Sequence, residues 1–142
     1  MTIYDQLRRD EGDEPYAYKD KYGNLTIGVG HNLSVKAISK RARQVILEDD
    51  VADDIADLHR ELPWTYQMQE VRFCALVNLV HNMGIGTATM GTGLLGFPLM
   101  LRAIQQQDWA TAAKELLNSR YALQVPERAA RLAQQLLTNH MQ

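Results

Sequence analysis

Tyr4-Asp5-Gln6-Leu7-Arg8-Arg9-Asp10-Glu11-Gly12, followed by Tyr16-Ala17-Tyr18-Lys19-Asp20-Lys21-Tyr22-Gly23-Asn24-Leu25-Thr26-Ile27-Gly28-Val29-Gly30-His31, joins a short helix signal to a glycine-rich strand pair. Tyr4, Leu7 and Glu11 stand at i, i+3 and i+7, so on a helix they share one face. Gly12 suits a left-handed cap, and Pro15 prevents the helix from resuming. Glu11 therefore falls in the last turn. There the negative end of the helix and an apolar flank both favour a neutral carboxyl over a carboxylate. A carboxyl held protonated near neutral pH is equipped for general-acid work. A surface glutamate on a fraying turn has the same pattern, and this segment alone leaves both open.

Tyr16 to His31 alternates around Tyr22-Gly23-Asn24, which predicts a hairpin. With the turn centred on Gly23, Asp20 opposes Thr26, Tyr18 opposes Gly28 and Tyr16 opposes Gly30. Opposed side chains share a face at about 4.5–5.5 Å between Cβ atoms. A carboxylate beside a hydroxyl is an arrangement for holding a water, and the glycines leave room for the rings or for a ligand. An exposed hairpin with a polar tip fits the same residues.

Downstream, the periodicity predicts helices. One from about Ser39 to Glu61, with Ser39 as N-cap, puts Val45, Ile46, Ala52, Ile55, Leu58 and Leu62 on one stripe. Its acids (Glu48, Asp49, Asp50, Asp53, Asp54, Asp57 and Glu61) form a solvated face. From about Gln67 to Met83 apolar residues occur on every face, as in a core helix. Five of the nine glycines cluster in 84–96, read as a flexible loop. Helices over about 98–106, 109–118 (Asp108 as cap) and 126–139 (Pro126 in the first turn) follow. The 142 residues suffice for one domain with a sizeable core, and a net charge of −2 argues against non-specific binding to nucleic acid. The lone Cys74 cannot form an internal disulfide and reads as a small core residue.

Glu11, Asp20 and Thr26, with Gly28, Gly30 and His31 behind them, resemble the Glu-8-residue-Asp-5-residue-Thr signature of phage-type lysozymes, glycoside hydrolase family 24. Ile38-Ser39, Asp50-Val51, Val71 to Gly84, Gly96-Phe97, Leu101-Arg102, Trp109, Ala112-Ala113, Ser119-Arg120, Pro126 and Arg128-Ala129 continue in that family's order. The resemblance covers nearly the whole chain. It implies an α+β, lysozyme-like fold: a small hairpin lobe of about 13–38, a linking helix of about 39–61, a helical lobe of about 62–142 plus 1–12, and a cleft between the lobes. The family's extra helix after the strands is reduced here to 32–37.

The resemblance further implies a substrate, peptidoglycan, cut at the β-1,4 bond between N-acetylmuramic acid and N-acetylglucosamine with inversion. Glu11 would protonate the leaving oxygen, while Asp20 and Thr26 place water on the opposite face; inverting enzymes keep their carboxyls about 6.5–9.5 Å apart. Neither cofactor nor metal is implied. Tyr18, Gly30, Asn32, His81, Asn82, Glu115 and Gln124 are the expected substrate contacts, and the family's helix serine after Gly96-Phe97 corresponds to Met100. His31 invites a general-base reading, but the resemblance implies a structural pairing with Asp50. Arg128 and Arg131 resemble arginines that reach Glu11 and Asp10. A lytic transglycosylase, which uses the same acid without water, and a non-catalytic wall-binding phage module are the rival readings. No apolar leader precedes Thr2 and no segment approaches the ~20 apolar residues of a membrane span. The expectation is a monomer held in the host cytoplasm until a separate membrane-permeabilising protein gives it access to the wall, with phage-particle association as the other route.

Overall fold

Thr2 opens the first helix, α1 (Ile3–Glu11), through a reciprocal cap. The Asp5 amide donates to Thr2 Oγ1 at 3.2 Å, and the Thr2 amide donates to Asp5 Oδ2 at 2.9 Å. Gly12 closes the helix with φ +79°, donating its N–H to the Arg8 carbonyl at 3.0 Å. The computed structural model describes all residues from 1 to 142 and is mostly helical, with one three-stranded antiparallel sheet ordered β1 (Glu14–Lys19), β2 (Leu25–Gly28), β3 (His31–Asn32). The fold class is thus the expected α+β. Two compact units divide the chain, Met1–Ile46 and Leu47–Gln142, and the division falls inside α2 (Lys40–Glu61). Helix α1 groups with the strands in the first unit.

The hairpin register differs from the one centred on Gly23. Tyr18 pairs with Thr26 and Lys19 with Leu25, while an irregularity in β1 brings Glu14 opposite Gly28. Asp20 therefore does not oppose Thr26, nor Tyr18 Gly28. The cause is the Asp20 carboxylate. Its Oδ1 accepts the Tyr22 and Asn24 amides at 2.8 and 2.9 Å, so residues 20–24 close as a turn and the ladder stops at Lys19. Thr26 moves two places along β1, which keeps it on the same face as Tyr18. Tyr16 does not face Gly30 either. Gly28 and Gly30, at φ +64° and +66°, turn the chain into β3, whose Asn32 pairs with Thr26 and His31 with Ile27. This third strand, two residues long, is too short to leave an alternation in the sequence.

Ser39 caps α2 as expected, accepting the Ala42 amide at 3.1 Å. The apolar stripe is covered only near its end. Leu58 is fully buried, whereas Val45 and Ile46 are 49% exposed and Ala52 is also exposed. A 22-residue helix is about 33 Å long, and only its last turns meet the core of the second unit.

That core is centred on α3 (Glu70–Met83), entered through a 3₁₀ turn over Pro63–Gln67. Ala75, Leu76, Leu79 and Val80 pack with Leu94, Met100, Ile104, Leu116, Leu132 and Leu136. These come from the following segments α4 (Pro98–Gln105), α5 (Trp109–Leu117) and α7 (Pro126–Thr138) and the turn at Leu94. Asp108 caps α5 by accepting from Thr111 N and Oγ1 at 3.1 and 2.6 Å. A short α6 (Arg120–Gln124), capped by Ser119, was too brief to show periodicity. Three polar ties close the α3–α7 seam. Gln135 donates to Val71 O at 2.7 Å, Arg72 to Leu136 O at 2.7 Å, and Arg128 to Asn78 Oδ1 at 2.8 Å.

The glycine-rich stretch is folded rather than loose. Leu94 and Leu95 donate to Gly84 O and Ile85 O at 3.0 and 2.9 Å, and Thr87 N donates to Thr92 Oγ1 at 3.1 Å. A β-carbon on Gly86 would stand 1.9 Å from Thr92 O, and one on Gly93 2.6 Å from Gly84 O. The glycines let backbone lie against backbone and seal Leu94, which is fully buried. Gly86→Ala should therefore cost at least ~2 kcal/mol. By thermal unfolding this is a fall of roughly 6 °C or more; an unchanged melting temperature would mean that this segment is in fact loose.

Candidate active site

The sheet sets the site. Tyr18, Thr26 and Asn32 are directly opposed on β1, β2 and β3, so three candidate residues form one rank on one face. Thr26 is the one buried residue of the first unit, 4% exposed, and its hydroxyl donates to Asn24 O at 3.1 Å. Asn24 also donates its side-chain amide to Asp20 Oδ2 at 3.2 Å. Asp20 and Thr26 are therefore joined through Asn24 rather than by cross-strand pairing. Only the turn geometry gives Asn24 this role; the Gly23-Asn24 turn signal was its sole trace in the sequence.

Donation by the Asn24 amide, then by Tyr22 N–H and the Asn24 side chain, with Lys21 adding a positive charge, holds the Asp20 carboxyl below the ordinary 3.8. Asp20 stays ionised. Glu11 ends α1, is exposed, and its Oε2 lies 3.1 Å from where a β-carbon on Gly30 would stand. Gly30 makes room for the carboxyl. The apolar flank expected to shield Glu11 is open, with Tyr4 69% and Leu7 43% exposed. The first unit thus supplies an exposed carboxyl next to a glycine turn, a carboxylate whose ionised form the turn favours, and a buried hydroxyl. A pair of carboxyls is the residue requirement of a two-carboxylate glycosidase.

Other expected residues have their own partners. His31 Nε2 lies 3.0 Å from Lys36 O, a local contact that the sequence did not suggest. Asp10 accepts from Arg9 Nε at 2.8 Å, and Asp50 is exposed. In the second unit, Arg128 is engaged with Asn78, and Arg131 is exposed beside it. His81 Nδ1 pairs with Asp54 Oδ2 at 2.8 Å, and Asn82 is exposed. Glu115 and Gln124 do come together, in a groove of about 500 Å³ with Met83, Phe97, Leu99 and Tyr121. His81 and Asn82 do not line it. Met100 does, as a fully buried side chain. The buried Tyr121 hydroxyl has no partner in the protein, and burial pushes it up. Sequence offered no signal for that. No three His, Cys, Asp or Glu side chains converge as metal ligands.

Residues 8–135 match the phage lysozyme family. The chain belongs to that family. It is 29% identical to probable T4-type lysozyme 1 and 29% identical to probable T4-type lysozyme 2 of Dictyostelium discoideum, each over 92% of this chain and 91% of the relative. It is also 28% identical to the pre-baseplate central spike protein Gp5 of Enterobacteria phage T4, over the whole of this chain and 28% of that protein. As a phage lysozyme the protein is a peptidoglycan-hydrolysing glycoside hydrolase.

Two outcomes follow for this lysozyme. Because the folded Asp20 pKa is depressed, its stabilisation is present above the unfolded value and is lost as pH falls through the folded one. The melting-temperature advantage of wild type over Asp20→Asn should therefore shrink as pH drops below about 4. A constant difference from pH 7 to pH 2 would show that the carboxylate charge is not what holds the turn. Gly30→Ala combines a strained φ with displacement of Glu11, and activity on peptidoglycan should fall roughly 10²-fold. Full activity would show that Glu11 tolerates displacement.

Proposed function

We propose that this lysozyme cleaves the β-1,4 bond between N-acetylmuramic acid and N-acetylglucosamine with inversion, as an endolysin for host lysis. The observation that carries the reading is the chemical asymmetry within one 46-residue unit. Glu11 ends exposed beside Gly30, while Asp20 is fixed as a carboxylate and linked through Asn24 to the Thr26 hydroxyl. Glu11 gives its proton to the leaving oxygen. Asp20 and Thr26 hold the water that attacks the anomeric carbon from the other side, with Asp20 also stabilising the oxocarbenium-like charge. Tyr18 and Asn32, ranked with Thr26, and Gly30 contact the glycan at this site. Glu115, Gln124, His81 and Asn82 are proposed as further contacts. His31, Asp50, Asp10, Arg128 and Arg131 belong to the same proposal as structural support.

The protein acts as a monomer, without nucleic acid or cofactor. No helix is long and apolar enough to cross a membrane. We place it in the host cytoplasm until another protein permeabilises the membrane. The spike-protein relative gives phage-particle association as the second reading.

Glu11→Gln should lower muropeptide release from purified peptidoglycan by ~10²–10⁴-fold or more while leaving the far-ultraviolet circular dichroism unchanged. Mass spectrometry of the wild-type digest should show reducing N-acetylmuramic acid ends carrying added water. Products 18 Da lighter, as 1,6-anhydro ends, would assign a transglycosylase instead. Full activity in Glu11→Gln would remove Glu11 from the acid role, and no release by wild type would leave a wall-binding module.

A further inference from the structure

We propose that the second unit carries an additional glycan-binding groove, lined by Trp64, Gln67, Gln105, Gln107 and Trp109, which takes a neutral β-1,4-linked N-acetylhexosamine strand. The groove encloses about 440 Å³, within the range of small-molecule sites. It shares no residue with the groove containing Glu115 and Gln124.

Its chemistry is specific. Both tryptophans of the chain line it. Indole offers an apolar ring against sugar C–H groups and one N–H donor. The side-chain amides of Gln67, Gln105 and Gln107 each donate and accept, which matches hydroxyl and N-acetyl groups. None of these three amides, and neither indole N–H, is hydrogen-bonded within the protein.

Arg72 is the one charged residue in the lining, and it is already committed. It donates to Leu136 O and Leu137 O at 2.7 and 3.1 Å and to Gln69 Oε1, and its guanidinium lies 4.0 Å over the Trp109 ring. Arg72 thus fixes Trp109 in place. No carboxylate lines the groove. A neutral polar ligand fits this lining, whereas a polyanion finds no open cation. Gln107 adopts φ +59°, a conformation that glycine takes more easily, and this brings its amide to the groove at the end of α4.

The carbohydrate class rests on this lining alone; the choice of an N-acetylated strand rests on the proposed substrate. A second hold on an insoluble polymer raises the effective concentration of the next scissile bond.

The test is titration with tetra-N-acetylchitotetraose, which lacks the muramic acid residue of the proposed scissile bond, followed by tryptophan fluorescence. With both fluorophores in the groove, wild type should give a saturable shift. Gln67→Ala/Gln105→Ala, which alters two exposed side chains, should weaken the affinity at least tenfold with an unchanged melting temperature. It should also weaken retention on purified sacculi. Glu115→Ala should keep the shift. No saturable shift, a shift retained in the double variant, or one lost in Glu115→Ala would overturn the proposal, as would a tighter response to dextran sulfate. The titration needs no turnover. Loss of muropeptide release with the titration intact would fault the catalytic reading and leave the groove standing.

Discussion

The first 46 residues bury a single side chain, Thr26, so hydrophobic burial does not decide how this unit is shaped. The Asp20 carboxylate does much of that work. By taking the Tyr22 and Asn24 amides it ends the β1–β2 ladder, fixes the register, and brings Tyr18 rather than Asp20 opposite Thr26. The register then aligns Asn32 on the third strand. A residue proposed for chemistry is thereby also the residue that sets the frame of the site, and the turn amides that it accepts favour its ionised form.

The second unit obeys a different constraint. Its core is apolar and helical, and polar groups appear where helix ends must be satisfied. Arg72 supplies N–H groups to the last carbonyls of α7, and Asp108 and Ser119 cap α5 and α6. Away from the helix ends, Gln135 donates to the Val71 carbonyl of α3. Arg72 also holds Trp109. The seam that stabilises the helices therefore shapes the tryptophan-lined groove. In the glycine stretch at 84–96 close packing governs as well. Gly86 and Gly93 are needed because neighbouring backbone occupies the space of their β-carbons.

Strong local signals were legible in the sequence. Gly12 after Glu11, Ser39 before α2, Asp108 before α5 and Pro126 at the start of α7 each act on backbone within one turn, so reading them requires no partner far along the chain. The Glu11, Asp20 and Thr26 spacing pointed to the family for the same reason. The apolar stripe of α2 misled at Val45 and Ile46, because periodicity gives the direction a face points and not what covers it. Glycine content suggested mobility at 84–96, whereas the backbone contacts there come from the folded path of the segment.

The helical segments other than α6, the α+β class, the family, and two carboxyls and a hydroxyl at a telling spacing were all readable from the chain alone. These follow from local periodicity, capping and residue order. That Asp20 reaches Thr26 through Asn24, and that Gly30 makes room for Glu11, emerges from the folded chain. Helix packing likewise puts Glu115 in one groove with Gln124, and Trp64 and Trp109 in another. Each of these depends on a turn register or on helix packing. In both, a displacement of one or two residues changes which side chains meet while leaving the local pattern unaltered.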